Sequence, residues 1–255
     1  MNKFGMAVIA GLGAVAMSFA APPAVAATLT FDFTASGGSV TGTGTSIVRT
    51  YTQGTSPNQV TLVARALNIG TSSSSTFEAA QLGWYSGAGL GVCNAAEGTD
   101  CPSPSHQLDN GTNGVDFVFM QLDPAAQINS ITVRAYSNTD TDVLYYLGST
   151  ANPLNLVGKT TSELAGLGFS SGVIDTGPSG SGQTNIVTLN TTQSYNSLLI
   201  GAPLGETNDG FKIRSVIIDY TAPPSGGPVP EPMALAIFGM GLIGLRAATR
   251  RRRTA

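Results

Sequence analysis

The sequence predicts an all-β protein: an antiparallel two-sheet β-sandwich, jelly-roll-like, carried between an N-terminal signal peptide and a single C-terminal transmembrane helix. Three observations predict the β body. Apolar residues recur at period two in short runs, Gly, Asn and Pro turns separate the runs, and no stretch of the body offers a long amphipathic helix. Thirty-two glycines and only 11% charged residues suit an extracellular β protein better than a helical one.

The runs follow in order. Residues 28–33 place Leu29, Phe31 and Phe33 on one face. Strands at 46–52 and 60–67 flank residues 54–58, which read as a hairpin loop, and 76–85 carries the sole tryptophan, Trp84. Beyond a long loop, 115–120 and 128–136 read as two strands. In the second, Ile131, Val133 and Ala135 alternate with Thr132, Arg134 and Tyr136. Residues 142–147 form another strand, and 160–167 a short helix capped by Thr161 or Ser162, with Glu163 in its first turn. Strands at 172–175, 185–189, 197–200 and 211–220 complete the body. No internal repeat is present, which argues against a solenoid or propeller.

The two ends read as targeting segments. Lys3, the apolar run 4–19 and the small-x-small site Ala24-Val25-Ala26 make a secretory signal peptide over 1–26, so the mature chain begins at Ala27. The body spans 27–221 and a Pro/Gly/Ser linker 222–229. Pro228 at the end of the linker and Pro230 and Pro232 at the start of 230–255 exclude helix, the uncharged run 233–245 follows, and a basic stop of Arg246, Arg250, Arg251, Arg252 and Arg253 closes the segment. Thirteen apolar residues give a helix of roughly 20 Å against a hydrocarbon core of about 30 Å. A span over 233–249 therefore needs Ala247, Ala248 and Thr249 in the helix and a snorkelling Arg246.

Val229-Pro230-Glu231-Pro232, the apolar run and the arginine cluster, in that order, resemble the PEP-CTERM sorting signal of exported proteins in Gram-negative, polymer-secreting bacteria. The resemblance covers about the last tenth of the chain. It implies processing near Pro-Glu-Pro by a membrane-embedded exosortase, after signal peptidase has acted, with passage through the inner membrane to the cell surface or extracellular matrix. The order of a Gly-Leu-Gly-Val turn at 89–92, an acidic loop and Asp109-Asn110 before an alternating strand is similar to a pattern in PEP-CTERM proteins with β-sandwich bodies.

Between residues 27 and 230 six Lys/Arg face fourteen Asp/Glu, a net charge of −8. That balance argues against nucleic acid as a partner and suits Ca²⁺ or neutral polysaccharide. The two cysteines, Cys93 and Cys101, are expected to close one small-loop disulfide in an oxidising compartment. Glu97, Asp100, Asp109, Asn110 and Asp116 gather oxygen donors in one loop region. They are read either as a Ca²⁺ site or, for Asp109-Asn110-Gly111, as turn chemistry. Asn208-Asp209-Gly210 has the same two readings, and pairing of the first and last strands would let Asp32 approach Asp209. Trp84 and Tyr85, with Tyr145 and Tyr146, are read either as core residues or as a glycan-stacking face. His106 is the lone histidine, no G-x-S-x-G is present, and no local motif nominates a carboxylate pair. The expected function is a structural or adhesive, non-catalytic surface protein. A carbohydrate-binding module with structural Ca²⁺ is the alternative, and an unrecognised hydrolase the third reading.

Overall fold

The computed structural model describes residues 26–70, 75–97, 106–111, 113–189 and 191–222. The predicted signal peptide up to Val25, the linker from Pro223, the Pro-Glu-Pro motif, the apolar run and the arginine stop lie outside the described residues. Among those described, no helix is long and apolar enough to cross a membrane.

The described chain is antiparallel β throughout its ladders. Its strands are β1 (Ala26–Asp32), β2 (Ser39–Thr41), β3 (Val48–Gln53), β4 (Val60–Ile69), β5 (Phe77–Tyr85), β6 (Gly89–Cys93) and β7 (Leu108–Asp109). They continue with β8 (Val115–Arg134), β9 (Val143–Gly148), β10 (Val173–Asp175), β11 (Thr184–Thr188), β12 (Tyr195–Gly201) and β13 (Gly210–Thr221). The first and last strands pair as expected: Phe31 lies opposite Val216 and Asp32 opposite Ser215. Alternation sets the inward face, so Phe31 and Phe33 are wholly buried while Asp32 stays exposed.

Five strands close into a ring. β4 pairs with β5 through Ala66–Ile69, β5 with β6 through Gln81–Tyr85, and β6 meets β13 at Leu90 opposite Ile213. β13 then pairs with β8, and β8 returns to β4 along Val115–Asp123. Strands β5 and β8 thus pass from one set of ladders into the other, leaving no unpaired edge around the ring.

Two expected strands, 115–120 and 128–136, are one. β8 runs unbroken over twenty residues, its first half between β4 and β12 and its second between β13 and β11. Pro124 has no N–H to give a ladder, and it falls where β8 changes partners, between Asp123 opposite Thr61 and Ala126 opposite Tyr195. The first half, Val115–Leu122, is buried on both faces, so its sequence lacks clean alternation. One of those faces is covered by the segment after β9. Buried Gln121 anchors it, donating through Nε2 to Ala151 O at 2.9 Å and accepting through Oε1 from Leu154 N at 3.0 Å. Phe119 meets Phe169 edge to face beside it.

The Gly-Leu-Gly-Val segment is a buried strand, β6, and not a turn. Its glycines permit close approach: a Cβ on Gly89 would lie 2.2 Å from Ile213 O, and on Gly91 2.3 Å from His106 O. Gly89 also holds a φ of 117°, which L side chains rarely adopt. The short helix is a 3-10 turn, Thr161–Leu167, whose cap is Thr160 and neither Thr161 nor Ser162. Glu163 Oε2 accepts from Thr160 N at 2.8 Å, and that return bond selects the cap.

Candidate functional site

The fold gathers acidic side chains at two places. At the first, Asp116 on β8 is wholly buried, and its Oδ1 accepts from Asn68 Nδ2 at 2.9 Å and from Asn94 Nδ2 at 3.4 Å. Its Oδ2 has no hydrogen-bond donor. Burial, then the nearby Asp109 carboxylate, pushes the Asp116 carboxyl well above the usual range. Burial likewise raises Asp109 and Glu97. Glu97 Oε2 accepts from Asn94 N at 3.0 Å and lies 4.0 Å from His106 Nδ1. Cys93, Glu97 and His106 each bring one ligand-type atom within 4.8 Å of the others.

This neighbourhood assembles part of the loop set expected from sequence. Glu97, Asp109 and Asp116 come into electrostatic reach of one another. Asp100 lies outside the described residues, as does Cys101, the expected disulfide partner of buried Cys93. Asn110 goes elsewhere. Asp109 ends β7, and successive side chains of extended chain point to opposite sides, so Asp109 and Asn110 separate. Asp109 also keeps its turn role, with Oδ1 accepting from Gly111 N at 3.1 Å.

The second place was not foreseen as a unit. Asp140 and Asp142, in the turn before β9, and Asp209, just before β13, each bring a carboxylate oxygen within 4.8 Å of the other two. Backbone pairing fixes them: Asp140 N donates to Asn208 O at 2.8 Å, and Gly210 N donates to Asp140 O at 3.0 Å. Asp140 Oδ1 accepts from Thr141 N and Oδ2 from Ser179 Oγ, while Asp142 Oδ1 accepts from Gly177 N at 2.7 Å. Gly177 must be glycine there, because a Cβ would lie 2.3 Å from Thr141 Oγ1.

Asp209 is the buried member, 2% exposed. Asn110 Nδ2 donates to its Oδ2, and Asp209 N donates back to Asn110 Oδ1 at 3.0 Å. Its Oδ1 meets no donor. Burial first, then Asp142, Glu206 and Asp140, lift its carboxyl from 3.8 to about 6, against the Asn110 bond that holds it down. Burial also raises Asp142. Among the described residues the two ion pairs are His106–Glu97 and Lys159–Glu163, and neither reaches this cluster. The readable signal was Asp140-Thr141-Asp142: a carboxylate at every second residue of extended chain faces one side, while Thr141 is buried on the other. Asp209 does not approach Asp32, because β1 and β13 align Asp32 with Ser215, roughly 20 Å along the strand from Asp209.

Trp84 and Tyr85 are both half-buried and, as neighbours on β5, point to opposite sides of the strand. Trp84 Nε1 donates to Phe33 O at 2.6 Å, and a Cβ on Gly37 would come within 2.8 Å of the indole ring. The rings of Tyr85 and Tyr136 take the buried Lys212 ammonium between them, at 4.5 and 4.7 Å from their centroids. Burial lowers that ammonium from 10.5 to about 8.

Two open clefts lie apart from both acidic groups. One, of about 280 Å³, is lined by residues 45–48, 65–67 and 154–157 with Ala79 and Phe119, and Arg65 is its single ionisable side chain. The other, of about 310 Å³, contains Asp32 and Arg214. Comparison with family models, curated proteins and solved structures finds no match to the chain.

Proposed function

We propose that the chain is an exported surface or extracellular-matrix protein whose β body is a structural or adhesive, non-catalytic element. In this reading signal peptidase removes 1–26, the tail helix passes through the inner membrane, and an exosortase acts at Val229-Pro230-Glu231-Pro232. The body is a jelly-roll-like sandwich in which β5 and β8 cross between the sheets, and Cys93 pairs with Cys101.

The observation that carries the reading is the placement of Trp84 and Tyr85. A sugar platform needs ring faces open to solvent. Here Trp84 and Tyr85 are half-buried on opposite sides of β5 and share no common face, the indole N–H bonded to Phe33 O and the Tyr85 ring against buried Lys212. The groups around His106 are Glu97 and Cys93, the latter buried at the end of β6.

The test is complementation in an exosortase-bearing bacterium that lacks the gene. The wild-type chain and Trp84→Phe are both expected to restore surface retention and matrix cohesion. Restoration by the wild type but not by a well-folded Trp84→Phe chain would favour the polysaccharide-binding alternative. Glycosidase or esterase turnover lost on changing His106 would favour the hydrolase.

A further inference from the structure

We propose that Asp140, Asp142 and Asp209 form a Ca²⁺ site that ties the turn before β9 to the turn before β13. Three carboxylates from two segments some seventy residues apart bring their oxygens within 4.8 Å of one another. Like charges so close repel unless a proton or a cation lies among them. Independently, Asp209 is 2% exposed and its Oδ1 has no donor. A buried acceptor left without a partner is unfavourable, and a cation supplies what no described N–H does.

The donor set selects the metal class. All three ligands are carboxylate oxygens, with neither imidazole nor thiolate in the cluster, as hard cations require. Ca²⁺ accepts six to eight oxygens in irregular geometry, whereas Mg²⁺ demands a near-ideal octahedron. Here the bridge between Asp140 and Asp209 and the Gly177 N–H on Asp142 hold carboxylates from two separate turns, an irregular set that Ca²⁺ tolerates more readily than Mg²⁺. Asp140 and Asp142 are only half-buried, which leaves room for water ligands, and exposed Glu206 adds negative charge near Asp209. Asn110 holds Asp209 in place from behind. The site differs from the loop set around Asp109 and Asp116, and it does not depend on the proposed function.

The experiment is calorimetric titration of CaCl2 into the full-length chain, produced with its export signal, purified in mild detergent and stripped with EDTA. One saturable equivalent is expected, with a Kd no weaker than the 10⁻⁴–10⁻³ M typical of extracellular modules, and a higher Tm in Ca²⁺ than in EDTA. Asp142→Asn keeps an acceptor for Gly177 N and should weaken binding by at least about tenfold. Asp140→Asn is the second ligand variant should the first fold poorly. Asp109→Ala should bind as the wild type does. The proposal is overturned by the absence of saturable heat, by wild-type affinity in both ligand variants, by loss of binding in folded Asp109→Ala, or by equal affinity for MgCl2.

Discussion

Replacing Asp209 with asparagine should stabilise the metal-free protein at neutral pH and leave it unchanged in acid. The folded carboxyl titrates at about 6 against an ordinary value of 3.8, a rise of about two units. Between those values the folded state holds more protons than the unfolded state, so stability is full below the unfolded value and is lost as pH rises through about 6. At about 1.4 kcal/mol per unit, ionised Asp209 costs the neutral protein roughly 3 kcal/mol. Asparagine has nearly the same shape, can accept the Asn110 bond and carries no charge. In EDTA at about pH 7.5, Asp209→Asn is therefore expected to gain up to about 3 kcal/mol, or roughly 6–12 °C in Tm for a body of this size. Near pH 4 the two chains should melt together. Urea denaturation followed by Trp84 fluorescence reads both conditions. A variant less stable than the wild type at neutral pH, or a gap of the same size at both pH values, would refute the reasoning.

Other perturbations test the frame. Gly89→Ala should cost more than about 2 kcal/mol, because a Cβ there meets Ile213 O at 2.2 Å with φ at 117°. Gly87→Ala, at φ 74° but with nothing within 4 Å, should cost only about 1 kcal/mol; paired thermal melts compare them. Gln121→Leu leaves Ala151 O and Leu154 N unpaired and should lose about 1–3 kcal/mol, with faster proteolysis near 150–156. Lys212 should make stability rise with pH between about 8 and 10.5, since its folded ammonium releases its proton earlier than the unfolded one. Denaturation of Lys212→Met across that range should show a shallower rise.

What was legible followed from one-sided burial. Strand β1, the later part of β13 and the second half of β8 bury alternate residues and leave those between half-buried or exposed, so Phe31, Phe33, Ile131 and Val133 stand out at period two. The first half of β8 is buried on both sides and gives no such rhythm, so its continuity with the second half was not legible. Strand β6 was hidden because Gly89 and Gly91 have turn composition but serve close packing against Ile213 and His106. At the acidic groups, the sequence named Glu97, Asp109 and Asp116, which lie within one stretch. It missed the union of Asp140 and Asp142 with Asp209, because only the register of β13 and the bridge at Asp140 bring distant turns together. Asn110, named from sequence with the loop set, bonds Asp209 instead, its side chain pointing away from that of Asp109.

Export and processing are tested most directly by mass analysis of the protein recovered from the surface of an exosortase-bearing bacterium. The expected mature chain begins at Ala27, lacks the arginines beyond residue 245, and is replaced by an unprocessed, cell-retained form in Glu231→Ala. Recovery of an intact chain from Met1 to Ala255 in the cytoplasm would contradict it.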